Sequence, residues 1–488
     1  MERKEEVIAE LRALIAQQAA QLTAQATQLA AQAARIAELE LALAKANKNS
    51  ATSSKPPSSD LTNPPPKHSR PGRRSKPHHG AQPGHARHLR VPLPPERVDD
   101  TQDYAIEEAD IRRLHLTATG TYESIQHIEL PETPVGGTAH RLVVYRSPAG
   151  DRYLPDVPER KGPLFGPRLL TMIGWLKSVG HLSYSASEAW RADVLQVPVS
   201  RGYLAQLCTG PIAVALAAPH EELTAAIPHQ AQLGSDETSL KDNGKKHWLW
   251  CITAATFSVF HSTATRSRDV LEKLIGPDFA GDLNFDYFSA NCSFAWNFWL
   301  KAQYCWAHVI RDIRFLGTHP DPLTTLWAER LLEHARRLFA AWHRRDELSA
   351  PGFARAMRFP RDQFLQVVRQ PPPTKEAQTL AARFALVPYT TPESAVPETY
   401  DRAQDYFRFM FTAGVEPTNN HSEQQIRHCV IDRRITHGTR GVAGQRYHER
   451  MWTAIATCKK QQRNFFSFLY EALKAKADNR PAPSLLHS

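Results

Sequence analysis

Two adjacent acids, Asp236 and Glu237, interrupt a stretch that otherwise favours β-structure. The stretch, QLGSDETSLKDNGKKHWLWCITA at residues 232–254, contains Asn243-Gly244. This pair is typical of a tight hairpin turn, because both central positions of that turn need a positive φ. A carboxylate within a sheet costs desolvation energy unless something compensates it, and a bound cation is one such partner. Asp236 therefore either begins a turn or binds a cation, and the second interpretation requires further acids.

Asp286 and Glu423 are the candidate partners of Asp236. Three antiparallel extended runs, a helix, a short run ending at Asp286, more helix and a further run predict a ribonuclease-H-like α/β layer. In such a layer the first and fourth strands lie side by side, so Asp236 and Asp286 can face each other. Two carboxylates at that distance repel unless they are protonated or bridged by cations. Glu423 falls in an early turn of a helix that starts at Pro417-Thr418-Asn419-Asn420, where it either complements the helix dipole or supplies a third carboxylate.

Cys305 and His308 form half of a zinc-binding motif, Cys-x-x-His. No second pair lies at a suitable spacing in the sequence. We therefore expect no zinc there, and interpret Cys305 as the buried end of a strand.

The composition favours a polyanionic partner. The 488-residue chain is 42% hydrophobic, which fits a globular protein, and carries a formal net charge of +10. Residues 61–95 contain no acid, and proline and glycine punctuation prevents regular structure there. Arg70, Arg73, Arg74 and Lys76 are candidate contacts to DNA phosphates, in a manner sensitive to salt. The alternative is a solvated linker.

The cysteines and the hydropathy pattern favour a cytoplasmic protein. Six cysteines are scattered without close pairing, which is typical of reduced thiols. We find no run of about 18 apolar residues and no short apolar segment behind a basic N-terminus. Neither a membrane span nor a signal peptide is therefore expected.

The first 47 residues follow a heptad pattern. One apolar position recurs every seven residues, at Ile8, Ile15, Leu22, Leu29, Ile36 and Leu43. The companion position has polar residues in its middle, in the series Leu11, Gln18, Gln25, Gln32 and Leu39. Such a pattern predicts a coiled coil whose polar layers fix register and oligomer number. The alternative is a single amphipathic helix packed on its own domain.

The remaining segments divide by composition. We predict a coiled coil (1–47), a disordered basic linker (48–95), a small β-rich module (96–165), a helical region (166–228), a ribonuclease-H-like domain (229–435) with a helical insertion (about 317–410), and a C-terminal helical region (436–488). In the β-rich module the candidate strands are residues 125–130 and 141–145. In the helical region Ser200 is placed to cap a helix over 201–207. This outline is that of a helix-turn-helix with Arg201 and Tyr203 near the DNA, although any helical hairpin produces it.

With these motifs in order, the chain resembles the insertion-sequence-66 family of DDE transposases. The similarity lies in KPPSSD (55–60), GAQPGH (80–85), SDET (235–238), CWAH (305–308), PTNNHSEQQIR (417–427), HGTRGVAGQR (437–446) and ATCKKQQRNFFSFL (456–469). The motifs cover nearly the whole chain, and PTNN-x-x-E-x-x-I-R together with CWAH is the most specific part.

The resemblance implies a site, cofactors and partners. Asp236, Asp286 and Glu423 would be the catalytic triad and hold two Mg²⁺ or Mn²⁺ ions for phosphoryl transfer. His308, Arg311 and Arg427 are candidate phosphate contacts. The substrates would be the ends of a mobile element and a target DNA, brought together by a homo-oligomer in the bacterial cytoplasm at the nucleoid, with accessory proteins of the same element as further partners.

The chain departs from the family pattern at three places. Residues 96–165 lack the cysteine pairs that the family usually carries there for zinc. Tyr287 and Phe288 follow Asp286, where the family tends to have Gly-Tyr, and Gln424 replaces the usual arginine. These departures keep open the alternative of a catalytically impaired DNA-binding relative. Two further alternatives are a metal-dependent nuclease without strand transfer and a coiled-coil scaffold whose linker binds nucleic acid.

Overall fold

The computed structural model describes residues 2–53, 92–117, 134–155, 164–389 and 398–486, together with the single positions 121, 125, 126, 128 and 130. The structure is mixed α/β, with a helical N-terminal region and a central sheet. The chain divides into two compact units. The larger comprises Met1–Pro66, Asp156–Ala192 and Val197–Ser488, and the smaller comprises Lys67–Pro155 and Asp193–Gln196.

The larger unit begins with one long helix, α1 (Glu2–Ala46). Its heptad residues are exposed, with Ile15, Leu22 and Leu29 each about two-thirds accessible. Near its end, Lys45 pairs with Glu376 at 2.9 Å and the Lys48 ammonium lies 3.7 Å from the centre of the Phe315 ring. The predicted helix is confirmed, and its apolar stripe has no intramolecular core to face among the described residues.

The smaller unit has little regular structure among its described residues. It contains α2 (Glu108–Arg113) and two antiparallel two-residue strands, β1 (Tyr145–Arg146) and β2 (Arg152–Tyr153). The strand predicted over 141–145 is therefore wrong except at Tyr145, and the described positions between 125 and 130 are not in a strand. Val143, Val144 and Tyr145 are exposed. The apolar run at 141–145 wrongly predicted a strand, because its side chains face no hydrophobic core.

A helical region precedes the sheet in the larger unit. Its helices are α3 (Pro167–Ser178), α4 (Tyr184–Val194), α5 (Arg201–Leu207), α6 (Ala213–Ala215) and α7 (Ala217–Ala226), with a π-turn at Cys208–Ile212. The predicted cap is confirmed, since the Ser200 hydroxyl accepts a hydrogen bond from the Tyr203 backbone N–H at 3.3 Å.

A five-stranded sheet forms the centre of the larger unit. Its strands are β3 (Gln232–Asp242), β4 (Lys245–Thr253), β5 (Ser258–Thr263), β6 (Asp282–Phe285) and β7 (Lys301–Tyr304), in the order β5-β4-β3-β6-β7. The first three are antiparallel, and β3 pairs with β6 in parallel. The predicted hairpin turn is confirmed, with φ of 48° at Asn243 and 78° at Gly244. The predicted adjacency of the first and fourth strands is also confirmed.

Three short helices alternate with or follow the later strands, and three further helices with one hairpin form the insertion after them. The helices among the strands are α8 (Asp269–Leu274), α9 (Ser289–Asn297) and α10 (Trp306–Leu316). The insertion consists of α11 (Pro322–His343), α12 (Ala350–Val368), α13 (Lys375–Ala381) and a hairpin of β8 (Leu386–Tyr389) and β9 (Glu398–Asp401). Trp306 is fully buried, and its ring packs edge-on against Phe339 of α11 and Phe364 of α12. The insertion is thus joined to the first residue of α10.

Four more helices complete the larger unit, and two of them cover the sheet edges. They are α14 (Gln404–Phe407), α15 (Asn420–Thr436), α16 (Gly441–Lys460) and α17 (Phe465–Ala477). On β5, alternate backbone N–H groups donate to side chains spaced four residues apart on α16: Ser258 to Thr457, Phe260 to Thr453 and Ser262 to Glu449. At the other edge, the Ala302 carbonyl of β7 accepts a hydrogen bond at 3.3 Å from Arg408, the residue that directly follows α14.

No single helix in the described part of the chain has the length and apolar composition to cross a membrane. One bent pair, Arg201–Ala215 with Ala217–His229, meets the criteria of length and composition only.

Helix α15 approaches strand β3 closely at Gly234. A Cβ at this position would clash with the Ser422 hydroxyl oxygen and lie 2.9 Å from Thr253 Cγ2. The Ser422 hydroxyl is buried and has no hydrogen-bond partner among the described residues. The absence of a side chain at Gly234 is therefore what lets the helix lie against the strand.

We expect Gly234→Ala to lower the free energy of unfolding by about 1–3 kcal/mol, because it overpacks this contact. Ser422→Ala removes the clashing oxygen, so the double variant should regain part of the loss in urea denaturation. Gly202→Ala is the control, since a Cβ there meets nothing within 4 Å. A loss in the double variant equal to the Gly234→Ala loss would contradict the proposed contact.

Candidate functional site

Asp236 lies within β3, and Asp286 directly follows the last residue of the neighbouring parallel strand β6. The register of β3 and β6 pairs Gly234 with Asn284. Both acids lie two residues beyond this pair along the chain, so the parallel strands bring them to the same region, where the charge of Asp286 acts on Asp236. The Asn291 side chain donates a hydrogen bond to Asp286 Oδ1 at 2.7 Å and fixes its orientation.

The segment before α15 brings Glu423 to the same end of these strands. The Pro417 carbonyl accepts a hydrogen bond from the Trp306 N–H at 2.9 Å. Asn419, the buried N-cap of α15, donates its side-chain amide to the Ser235 carbonyl at 2.7 Å. Glu423 then follows in the first turn. The PTNN motif therefore acts as a connector that ties the start of α15 to the residue preceding Asp236.

The far half of α15 is also fixed to the rest of the unit. Arg433 donates to the Thr238 hydroxyl at 2.7 Å, on the strand that carries Asp236. The buried carboxylate of Asp432 lies 3.5 Å from Lys177 Nζ through its Oδ1 and 3.2 Å from His448 Nε2 through its Oδ2. A buried ion pair of this kind is costly to break, because removing one partner leaves the other charge uncompensated. The helix is therefore held at both ends.

Asp236 and Asp286 lie where their charged forms are disfavoured. Burial raises the pKa of Asp236 well above its ordinary value, and the charges of Glu237, Asp286 and Glu423 raise it further. Burial also raises the pKa of Asp286 to about 7, with Glu237 the next cause. In the described part of the chain, neither Asp236 nor Asp286 has a lysine or arginine within ion-pair distance. This set of hard oxygen ligands, in which neither aspartate has an ion-pair partner among the described residues, fits a divalent cation.

A fourth carboxylate, Glu237, has its own counter-charge, which the sequence did not predict. The Glu237 side chain is 1% accessible and accepts hydrogen bonds from Arg266, whose Nε donates at 2.8 Å. The Arg266 guanidinium lies 3.5 Å from the centre of the Phe288 ring and 4.7 Å from that of Trp248. Glu237 therefore has an ion-pair partner within the protein, whereas Asp236 beside it has none among the described residues. The acid pair in SDET was the available signal, but nothing local indicated Arg266.

Tyr287 and Phe288 both have packing partners of their own. Phe288 lies against Arg266, and the Tyr287 ring lies 5.2 Å from that of Tyr304 and under the guanidinium of Arg383, at 4.5 Å. The two aromatic residues beside Asp286 thus contribute to packing around the acids.

His308 and Arg311 lie on α10 next to Glu423. His308 Nδ1 is 4.0 Å from Glu423 Oε1, and Arg311 Nη1 is 3.4 Å from His308 Nε2. Cys305, the N-cap of α10, completes a group in which Cys305, His308 and Glu423 ligand atoms all lie within 4.8 Å of one another. Spacing along the sequence could not reveal this third ligand, because Glu423 is distant along the chain.

The other predicted DNA-contacting residues are distributed along the chain, and only Arg427 lies near Glu423. Arg201 is exposed and forms an ion pair with Glu188 at 3.0 Å. The Tyr203 hydroxyl accepts a hydrogen bond from the Leu164 N–H at 3.3 Å, and its ring packs against Phe165. Arg427 is exposed on α15, one turn after Glu423. The four predicted linker residues, Arg70, Arg73, Arg74 and Lys76, lie outside the described residues.

Comparisons with known proteins match two parts of the chain. A family model described as "Transposase IS66 family" matches residues 162–447, more than half of the chain. A second model, described as a family of unknown function (DUF6444), matches residues 2–91. A comparison with curated proteins found no match.

The raised pKa of Asp286 predicts a pH-dependent stability in the metal-free protein. Because the folded-state pKa is about 7, against an ordinary value of 3.8, the stability this group contributes is full below about pH 4 and is lost as the pH rises through 7. Asp286→Asn, which cannot ionise, should escape this loss.

We therefore expect Asp286→Asn to gain stability over wild type by on the order of 1–3 kcal/mol between about pH 5 and pH 8. Urea denaturation with EDTA present measures the difference. Asp278→Asn, at an exposed aspartate of the same unit, should show no such gain. Parallel pH profiles for wild type and Asp286→Asn would show that the carboxyl titrates normally.

Proposed function

The chain belongs to the transposase IS66 family, and from this premise we propose that it is a DDE-type DNA transposase. It binds the terminal repeats of its own mobile element, cleaves the DNA strands there and joins them to a target DNA. Asp236, Asp286 and Glu423 are its catalytic carboxylates, and Mg²⁺ or Mn²⁺ its cofactor.

The observation that carries this proposal is the convergence of three acids from distant parts of the chain. Asp236 lies on β3 and Asp286 directly follows the neighbouring parallel strand β6, and Glu423 is near enough to raise the pKa of both. The strand order, with three antiparallel strands followed by two parallel ones, is the order expected of a ribonuclease-H-like layer and supports the assignment.

The three carboxylates would hold two divalent ions, which in such sites supply an activated hydroxyl nucleophile and stabilise the leaving oxygen. The surrounding residues position the acids. Asn291 orients Asp286, and Asn419 fixes the start of the helix that carries Glu423. Arg266 pairs with Glu237, so that Glu237 already has a partner within the protein and the three site acids remain to bind cations.

DNA contacts are proposed on three surfaces. Arg427 is exposed one turn after Glu423, and Arg311 Nη1 lies 3.4 Å from His308 Nε2, so both suit phosphates at the scissile strand. Arg201 is exposed at the start of α5 and suits a second contact. The basic linker, with Arg70, Arg73, Arg74 and Lys76, would add attraction to the backbone independent of sequence. The Tyr203 hydroxyl is already engaged by Leu164, which makes Tyr203 less suited to a DNA contact.

Self-association through α1 is the proposed means of pairing two DNA ends. The helix exposes its apolar residues at the seven-residue spacing of a coiled coil. A helix of 45 residues with an exposed apolar stripe gains stability by covering that stripe with a second copy. The proposed setting is the bacterial cytoplasm, with accessory proteins of the same element as further partners.

Asp236→Ala should lower the rate of Mg²⁺- or Mn²⁺-dependent strand cleavage at least about 100-fold, which is about 2.7 kcal/mol of activation free energy. Binding to the same terminal-repeat DNA should stay within about twofold, since the carboxylate makes no attractive phosphate contact. Asp278→Ala is the exposed control. Cleavage by Asp236→Ala at the wild-type rate would remove the triad assignment.

Leu22→Lys combined with Leu29→Lys should convert the oligomer to single chains, because two charges would be buried at each layer of the coiled coil. Thr27→Lys, on the outer face of the same helix, should leave the oligomer intact. Light scattering after gel filtration gives the mass of each variant. A full-size oligomer for the double variant would place self-association on another surface.

A further inference from the structure

The ends of two helices meet at a cluster of three different ligand types. Cys305 caps the start of α10 directly after β7, and His308 lies in the first turn of that helix. Glu423 lies in the first turn of α15. Their sulfur, nitrogen and oxygen atoms all fall within 4.8 Å of one another.

Two of the three atoms are buried with no hydrogen-bond partner. His308 Nδ1 and Glu423 Oε1 are both inaccessible to solvent and unpaired among the described residues. They face each other at 4.0 Å, too far for a hydrogen bond. Buried polar atoms are rarely left unpaired in a folded protein, and an ion bound between these two would satisfy both.

We propose that Cys305, His308 and Glu423 form a binding site for a divalent transition-metal ion of the zinc class. Thiolate and imidazole select such metals, whereas Mg²⁺ prefers oxygen ligands alone. Zinc binds sulfur at about 2.3 Å and nitrogen or oxygen at about 2.0–2.2 Å, so the three ligand atoms close in slightly around the ion. With three protein ligands the fourth position is left for water or a phosphate oxygen.

The surroundings of Cys305 offset part of the cost of a buried thiolate. Its sulfur accepts a hydrogen bond from the Asn419 backbone N–H at 3.1 Å, and it stands at the N-terminus of the eleven-residue helix α10. Both stabilise negative charge on sulfur. Burial nevertheless raises the pKa of the Cys305 thiol to about 11, so the metal must displace a proton as it binds. The hydrogen bond from Asn419 also joins the starts of α10 and α15, which keeps Glu423 in reach.

Arg311 opposes metal binding through the histidine tautomer. A metal at Nδ1 of a neutral imidazole leaves the proton on Nε2. Arg311 Nη1, a donor, lies 3.4 Å from Nε2 and favours the opposite tautomer. The metal-bound form must give up this contact, so Arg311 tunes the affinity of the site downwards.

The site shares Glu423 with the proposed catalytic triad. A zinc-class ion would therefore draw Glu423 away from Asp236 and Asp286 and inhibit cleavage supported by Mg²⁺. This consequence rests on the proposed function, whereas the binding of the metal does not.

Titration of the full-length chain with Co²⁺, followed by absorption, tests the site directly. Binding should produce a thiolate-to-cobalt charge-transfer band in the near ultraviolet. Cys305→Ser should abolish this band and weaken Co²⁺ binding at least about tenfold. Cys458→Ser, at a buried cysteine of α16, should leave both unchanged. Arg311→Gln should tighten binding, because the glutamine carbonyl can accept from Nε2–H.

Co²⁺ binding without a charge-transfer band, or a band that survives in Cys305→Ser, would overturn the proposal. If Cys305→Ser does not fold, His308→Asn serves instead, with the same expected loss of affinity. Asp236→Ala separates the two proposals, since it should lose cleavage and keep the cobalt band. An inactive wild-type chain that still shows the band would reject the transposase function and retain the metal site.

Discussion

The close approach of helix α15 to strand β3 is the contact on which the candidate site depends. Gly234 makes it sterically feasible, and Asn419 secures it by donating to the carbonyl of Ser235. Without this approach, Glu423 would have no fixed relation to Asp236, which lies almost two hundred residues earlier in the chain. The PTNN motif is accordingly explained by geometry: proline, threonine and asparagine place a helix start, and the acid follows one turn later.

The electrostatics of the site follow from how the four carboxylates are compensated. Glu237 is paired with Arg266, which is itself held between Phe288 and Trp248. Asp236 and Asp286 have no such partner in the described part of the chain, so burial and mutual repulsion favour their protonated forms. The protein therefore bears a cost in folding free energy at these positions. Such a cost is typical of sites that are completed by a ligand from solution.

Local sequence signals predicted the parts of the fold that local physics decides. Asn243-Gly244 specified the hairpin because few other pairs adopt its φ angles, and Ser200 specified a helix start. The order of elements predicted that β3 and β6 are neighbours. The apolar runs of the smaller unit failed as strand signals, since alternation indicates a strand only where one face is buried.

Partners that meet only through the tertiary fold could not be predicted from the sequence. Arg266 pairs with Glu237 across 29 residues, and Glu423 joins Cys305 and His308 across more than a hundred. Nothing in the spacing of these residues indicates the pairing, because it is set by which strands and helices pack together. Cys305-x-x-His308 was identified as half of a ligand set, but its complement had no sequence periodicity to reveal it.

The side chains of α16 that accept hydrogen bonds from the β5 backbone affect how closely several copies of the chain can be packed. If α1 gathers several copies on one DNA, their sheets are held at high local concentration, where bare strand edges would invite pairing between chains. Thr457, Thr453 and Glu449 already occupy the N–H groups of that strand. This edge of the sheet is therefore protected from pairing with the sheet of a neighbouring copy.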